Sequence, residues 1–249
     1  ADADLPVPLR LRPAEAEALG REQFLWRVTG FQLEFGWWVF DGNERPSQRP
    51  SWNYKRNTGG GLTLDMYPHW RYVIEGILGP IRRVVAAMKT MIPERRDEAG
   101  NTYPVDVEDS SRTLVELESG TVGTIICSWA TRVRRDDLLS FQVDGTRGSA
   151  VAGLHRCWIQ SAADTPTIQH FNPGRDLGVD YRGDWNEVAD QGNHINPYRV
   201  GWENFLRHVI DDAPLASDLS AGIRDVQLAE ACYRSVDEGR WISLEIKSG

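Results

Sequence analysis

Apolar side chains recur at every second position in the run VTGFQLEFGWWVFDG, where Phe31, Leu33, Phe35, Trp37 and Val39 share one face and Gln32 and Glu34 turn the other way. A two-residue period is that of a strand with one buried face. Strand-like runs follow at 81–89, 112–118, 121–129 and 138–143, with Ser119-Gly120 as the hairpin turn between the second and third. The stretch DGTRGSAVAG, 144–153, reads as a turn leading into a strand, and 157–161 and 241–246 read as two more.

The period lengthens to that of a helix in three places. From about 65 to 78, Met66, Trp70, Val73, Ile74 and Ile77 form an apolar stripe, with Asp65, His69, Tyr72 and Gly76 in a second stripe beside it; Gly79-Pro80 is the stop. Asn196-Pro197 opens the second helix, whose Tyr198, Trp202, Phe205, Leu206, Val209 and Ile210 fall on one face. The third spans about 219–238 and ends at Gly239. Strands clustered between helices, rather than alternating with them, predict an α+β fold: an open, mainly antiparallel sheet with helices on one face. A parallel nucleotide-binding sheet needs repeated crossover helices and a G-x-G-x-x-G turn after its first strand, and neither occurs.

Composition narrows the function classes. Ordinary hydrophobic and charged content predicts a folded globular chain. A formal net charge of −8, with Lys and Arg scattered among acids, argues against nucleic acid as a partner. The sequence has no apolar run of transmembrane length and no signal-peptide order at its start, so no membrane partner is expected. Cys127, Cys157 and Cys232 are odd in number and far apart, which favours a reducing, cytoplasmic setting. Ten tryptophans supply flat rings that can stack on sugars, as well as ordinary core material.

The stretch GGGLTLDMYPHW, 59–70, carries the candidate chemistry. With Asp65 placed at the helix N-cap, Pro68 falls in the first turn, where its missing N–H does no harm. Asp65 and His69 then share a face, and a carboxylate can orient or support an imidazole that takes a proton from a hydroxyl. The three glycines allow tight backbone and leave room for a ligand. The same residues also permit a plain reading, with Asp65 as a cap and His69 as a helix residue it satisfies. A metal centre at Asp65 and His69 would need a further ligand from His155, His170, His194, His208 or an acid, and no spacing indicates one, so no metal is expected.

GGGLTLDMYPHWRYVIEGILG closely resembles the signature opening the substrate-domain helix of the Gfo/Idh/MocA family (glucose-fructose oxidoreductase, inositol dehydrogenase, rhizopine catabolism). VEDSSRTLVELESGTVGTIICSW, with its acidic pair and glycine hairpin, resembles the next strands; DGTRGSA the following turn; LAEACYRSVDEGRWISL the closing helix and strand. The resemblance implies the substrate domain of an NAD- or NADP-dependent sugar or polyol oxidoreductase over 22–249, with His69 as proton acceptor or donor and Asp65 as its substrate-contacting partner. It implies that the N-terminal Rossmann domain is absent here and that 1–21 is a remnant or linker from it. It points further to Tyr198 as a substrate contact, and to a homo-oligomer built through the open sheet. Tyr72 stands where members often have Asp, and Pro68 where they have a small residue. Trp38 (on the opposite face from Trp37), Lys55 and Tyr72 are candidate substrate contacts; Arg56 is a candidate contact for cofactor phosphate. The competing reading is a binding or assembly module that keeps the fold and performs no redox chemistry.

Overall fold

The computed structural model describes residues 25, 27–168, 172, 174, 178–189 and 196–244; the expectations for 1–21 and for 245–246 lie outside them. A nine-stranded sheet runs β10-β9-β8-β7-β1-β6-β5-β2-β11. Its members are β1 (Val28–Gly36), β2 (Ile81–Lys89), β5 (Ser110–Leu117), β6 (Val122–Ser128), β7 (Leu139–Gly145), β8 (Gly148–Ala152), β9 (Cys157–Ser161), β10 (Asn186–Glu187) and β11 (Ile242–Ser243). Only β1 and β6 pair in parallel; the other pairings of this sheet are antiparallel. The α+β expectation therefore holds.

The centre of the sheet explains the core. Leu33 of β1 lies between Ile125 of β6 and Phe141 of β7, and all three are buried. Each large side chain buried in this way contributes about 1.5–3 kcal/mol. Helices α1 (Leu62–Leu78) and α3 (Leu219–Glu238) pack against each other and cover β2. Arg71 of α1, itself buried, joins them by ion pairs with Asp225 of α3 and with Glu75 one turn along its own helix.

The sheet and helices also depart from the sequence reading in places. A small hairpin, β3 (Glu94–Arg96) with β4 (Thr102–Pro104), forms a separate two-stranded sheet inside what the pattern left as a connection. Three-residue strands carry too few alternations to show a period. Helix α2 (Pro197–Asp211) begins as expected, the Asn196 side chain accepting the Tyr198 N–H, but its apolar face is not core. Tyr198, Trp202, Phe205, Leu206, Val209 and Ile210 are all exposed, Tyr198 by 78%.

Candidate functional site

Helix α1 starts one turn earlier than the sequence predicts. Leu62 is its first residue, Gly61 stands at the N-cap with no side chain to offer, and the Asp65 N–H already donates to the Gly61 carbonyl. The cap comes from β5's approach segment: Glu108 Oε1 accepts the Thr63 N–H at 2.7 Å and the Tyr233 hydroxyl at 2.9 Å, while the Glu108 carbonyl accepts the Leu62 N–H. A carboxylate there also suits the positive end of the helix dipole. Asp65 is thereby freed from capping, and Pro68 lies inside the helix rather than in its first turn.

Two of the three glycines are required by close approach of the chain itself. A Cβ on Gly60 would sit 2.5 Å from the Asn53 carbonyl oxygen, and one on Gly61, whose φ is 134°, would sit 2.8 Å from the Tyr233 hydroxyl. The space expected for a ligand at these two positions is occupied by the chain itself.

The two stripes of α1 separate cleanly. Met66, Tyr67, Trp70, Val73 and Ile74 are buried, the Tyr67 hydroxyl shared between Ser111 and Thr113 at 2.8 Å each. Asp65 and Tyr72 are half-buried and His69 is exposed, so the acid, the imidazole and the phenol line the open side of a helix anchored on its other side. The partner of Asp65 is a residue the sequence did not single out. Arg49 Nη2 donates to Asp65 Oδ2 at 2.5 Å, an ion pair that helical spacing alone does not predict. Nothing in the local spacing announces Arg49, because it reaches α1 from a loop sixteen residues away. That loop and the turn at Arg96–Glu98 line an open groove of about 570 Å³, with Arg49 in its wall.

The remaining candidates scatter. Trp38 lies under the Arg132 guanidinium, 3.9 Å from ring centroid to Cζ, and makes a bridge to Ala130. The tryptophan that reaches the loop beside Arg49 is Trp37, whose Nε1 donates to Gln48 and whose ring packs on Phe35. Trp38 remains the candidate cleft ring, and Trp37 joins it: Trp37 packs against the core yet keeps its indole N–H at the loop. Lys55 Nζ sits over the Tyr103 ring at 4.5 Å. Arg56 donates from its backbone to Asp106 Oδ1 and from its guanidinium to the Asp106 carbonyl, which engages the charge proposed for a phosphate. Tyr72 packs against Arg71, and Tyr198 stands exposed on α2.

Burial pushes the thiols of Cys127 and Cys232 up to about 12, and Cys157 is raised too, so none is a ready thiolate nucleophile. Among the described residues no three His, Cys, Asp or Glu side chains gather as a metal site. No helix among them is long and apolar enough to cross a membrane.

A mainly antiparallel sheet with two helices packed on it is the fold in hand, and residues 38–244 match the family described as "Oxidoreductase family, C-terminal alpha/beta domain". The chain belongs to the Gfo/Idh/MocA family. It is 44% identical to D-xylose dehydrogenase of Paenarthrobacter nicotinovorans, over 90% of this chain and 58% of that protein. It is 28% identical to levoglucosan dehydrogenase of Pseudarthrobacter phenanthrenivorans, over 96% of this chain and 66% of that one. The chain thus spans roughly six tenths of the length of these relatives. Among solved structures, a levoglucosan dehydrogenase in complex with NADH and L-sorbose superposes with a TM-score of 0.70 at 19% identity, covering 94% of this chain and 64% of that one. An NAD binding oxidoreductase from Klebsiella pneumoniae gives 0.71 at 17%, covering 94% and 64%. At those identities the likeness is one of fold.

Proposed function

We infer that this chain is the substrate-binding and catalytic-base part of a longer dehydrogenase that oxidises a hydroxyl of a sugar, cyclitol or glycoside, or reduces the matching ketone. The observation that carries the reading is the open Asp65–His69–Tyr72 stripe on a core-anchored helix, in a chain that is 44% identical to a D-xylose dehydrogenase. Oxidising a carbinol removes a hydroxyl proton and a hydride. His69, exposed and one turn from Asp65, is suited to take the proton.

The hydride needs an acceptor, and the named relatives are dehydrogenases, one of them solved with NADH. Two groups that could meet the phosphates of such a cofactor already have partners. The N-terminus of α1, a natural anion site, is filled by Glu108, and Arg56 is engaged by Asp106. These contacts support the reading that NAD or NADP is held mainly by another part of a longer protein. The exposed apolar face of α2 suits burial against such a part.

Trp38, Lys55, Tyr72 and Tyr198 stand below Asp65 and His69 as candidate sugar contacts, and the Trp37 indole at Gln48 adds one more. The face of the sheet turned away from α1 and α3 carries exposed Leu114 and Val122 near half-buried Ile126, which suits a homo-oligomer contact. Light scattering on the full-length protein is expected to give a dimer or larger, and a monomer at micromolar concentration rejects that part. The test of function is a panel of pentoses, hexoses and inositols, D-xylose included, offered to the full-length protein with NAD or NADP while nicotinamide reduction is followed. Turnover of at least one sugar is expected; no reduction with any sugar and either cofactor rejects the reading.

A further inference from the structure

Arg49 ends a ladder of stacked and paired groups that begins deep in the core. Asp109 accepts from Arg95, the Arg95 guanidinium lies 4.0 Å over the Tyr54 ring, and Tyr54 meets Trp129 edge to face at 5.4 Å. The Arg49 guanidinium lies 4.4 Å over Trp129 on its way to Asp65. Trp129 and Tyr54 have no exposed surface, and the Trp129 backbone is pinned, its amide N–H donating to the Asp109 carbonyl and its carbonyl accepting from the Val39 N–H. A guanidinium stacked on so fixed a ring has little freedom left, and it makes its hydrogen bond to the carboxylate from a preset position. Asp65 Oδ2 is held, while Oδ1 has no partner among the described residues and stays free on the stripe that carries His69.

We propose that Arg49 is a positioning residue: stacked on Trp129, it fixes the Asp65 carboxylate so that Oδ1 is presented to the sugar beside His69. The inference rests on the sugar-oxidoreductase reading above and deepens it. Lysine keeps the charge but neither the planar stack nor the fork of donors, so it is a poor replacement. A carboxylate that swings away from a working geometry costs turnover more than binding of the whole sugar, by about 10-fold on the scale at which small misplacements act.

The test is a cycle in the full-length enzyme with the sugar that the panel finds turned over: parent, Arg49→Ala, Asp65→Asn and the double variant, with Arg49→Lys and His69→Ala alongside. Arg49→Ala is expected to lower kcat about 10-fold, to change KM less, and to regain turnover when methylguanidinium is added. In the Asp65→Asn background the same change is expected to cost little further, since Arg49 acts through Asp65. Arg49→Lys is expected to fall between parent and Arg49→Ala and keeps the test alive if the alanine variant folds poorly. An equal loss in both backgrounds, or an unchanged kcat, overturns the role of Arg49 while loss of activity in His69→Ala leaves the functional reading standing. A parent that oxidises no sugar overturns both.

Discussion

Replacing His69 by alanine in the full-length protein is expected to lower sugar oxidation by about 10²-fold or more, the usual scale for a lost general base. The residue is exposed, and the helix that carries it is fixed by neighbours on either side in sequence: Tyr67 and Trp70 are buried, and Arg71 is locked to Asp225 and Glu75. Removal of the imidazole therefore leaves the packing of α1 in place. Thermal unfolding of the variant should stay within a few degrees of the parent, so that the loss reads as chemistry rather than folding. Steady-state rates with the turned-over sugar check it: unchanged kcat and kcat/KM would take the proton-transfer role away from His69. A larger fall in kcat than in sugar affinity is the signature expected of a group that acts in the transition state.

Most of the fold could be read from the chain because its signals are local. The two-residue period of β1, the glycine stops after α1 and α3 and the Asn196 cap each act within a few residues, and the elements found there agree with the pattern to within a few positions. Where a distant residue decides, the pattern misleads. Asp65 looks like a cap because it precedes an apolar stripe, yet Glu108 supplies the cap from forty-five residues away and α1 gains a turn. The apolar stripe of α2 shows amphipathic character but not its partner, and in the structure that stripe is exposed. The site was half legible: the shared face of Asp65 and His69 follows from helical spacing, whereas Arg49 reaches Asp65 only through the fold. Its position depends on Trp129, which the strand pattern identifies merely as one more apolar residue.

The acidic pair Glu108-Asp109, met in the sequence as a family resemblance, proves to be structural, and its second member should show it most strongly. Asp109 is fully buried; Oδ1 accepts the Met91 N–H at 2.7 Å, and Oδ2 accepts the Ile92 N–H at 3.1 Å and Arg95 Nη2 at 3.4 Å. Arg95 is buried with it, its remaining contacts being the Val39 and Phe40 carbonyls and the Tyr54 ring. Asp109→Ala strips two backbone donors of their acceptor and leaves a guanidinium without its counter-charge, so the folded state should lose about 3–5 kcal/mol. Adding Arg95→Met should recover part of that loss, because no charge then stays buried, although the two N–H groups remain unsatisfied. Urea unfolding of the parent, the single variant and the double variant measures both steps. A shift below about 1 kcal/mol for Asp109→Ala would mean that water enters to replace the carboxylate, and the pair would then be no anchor for the rings on which Arg49 rests.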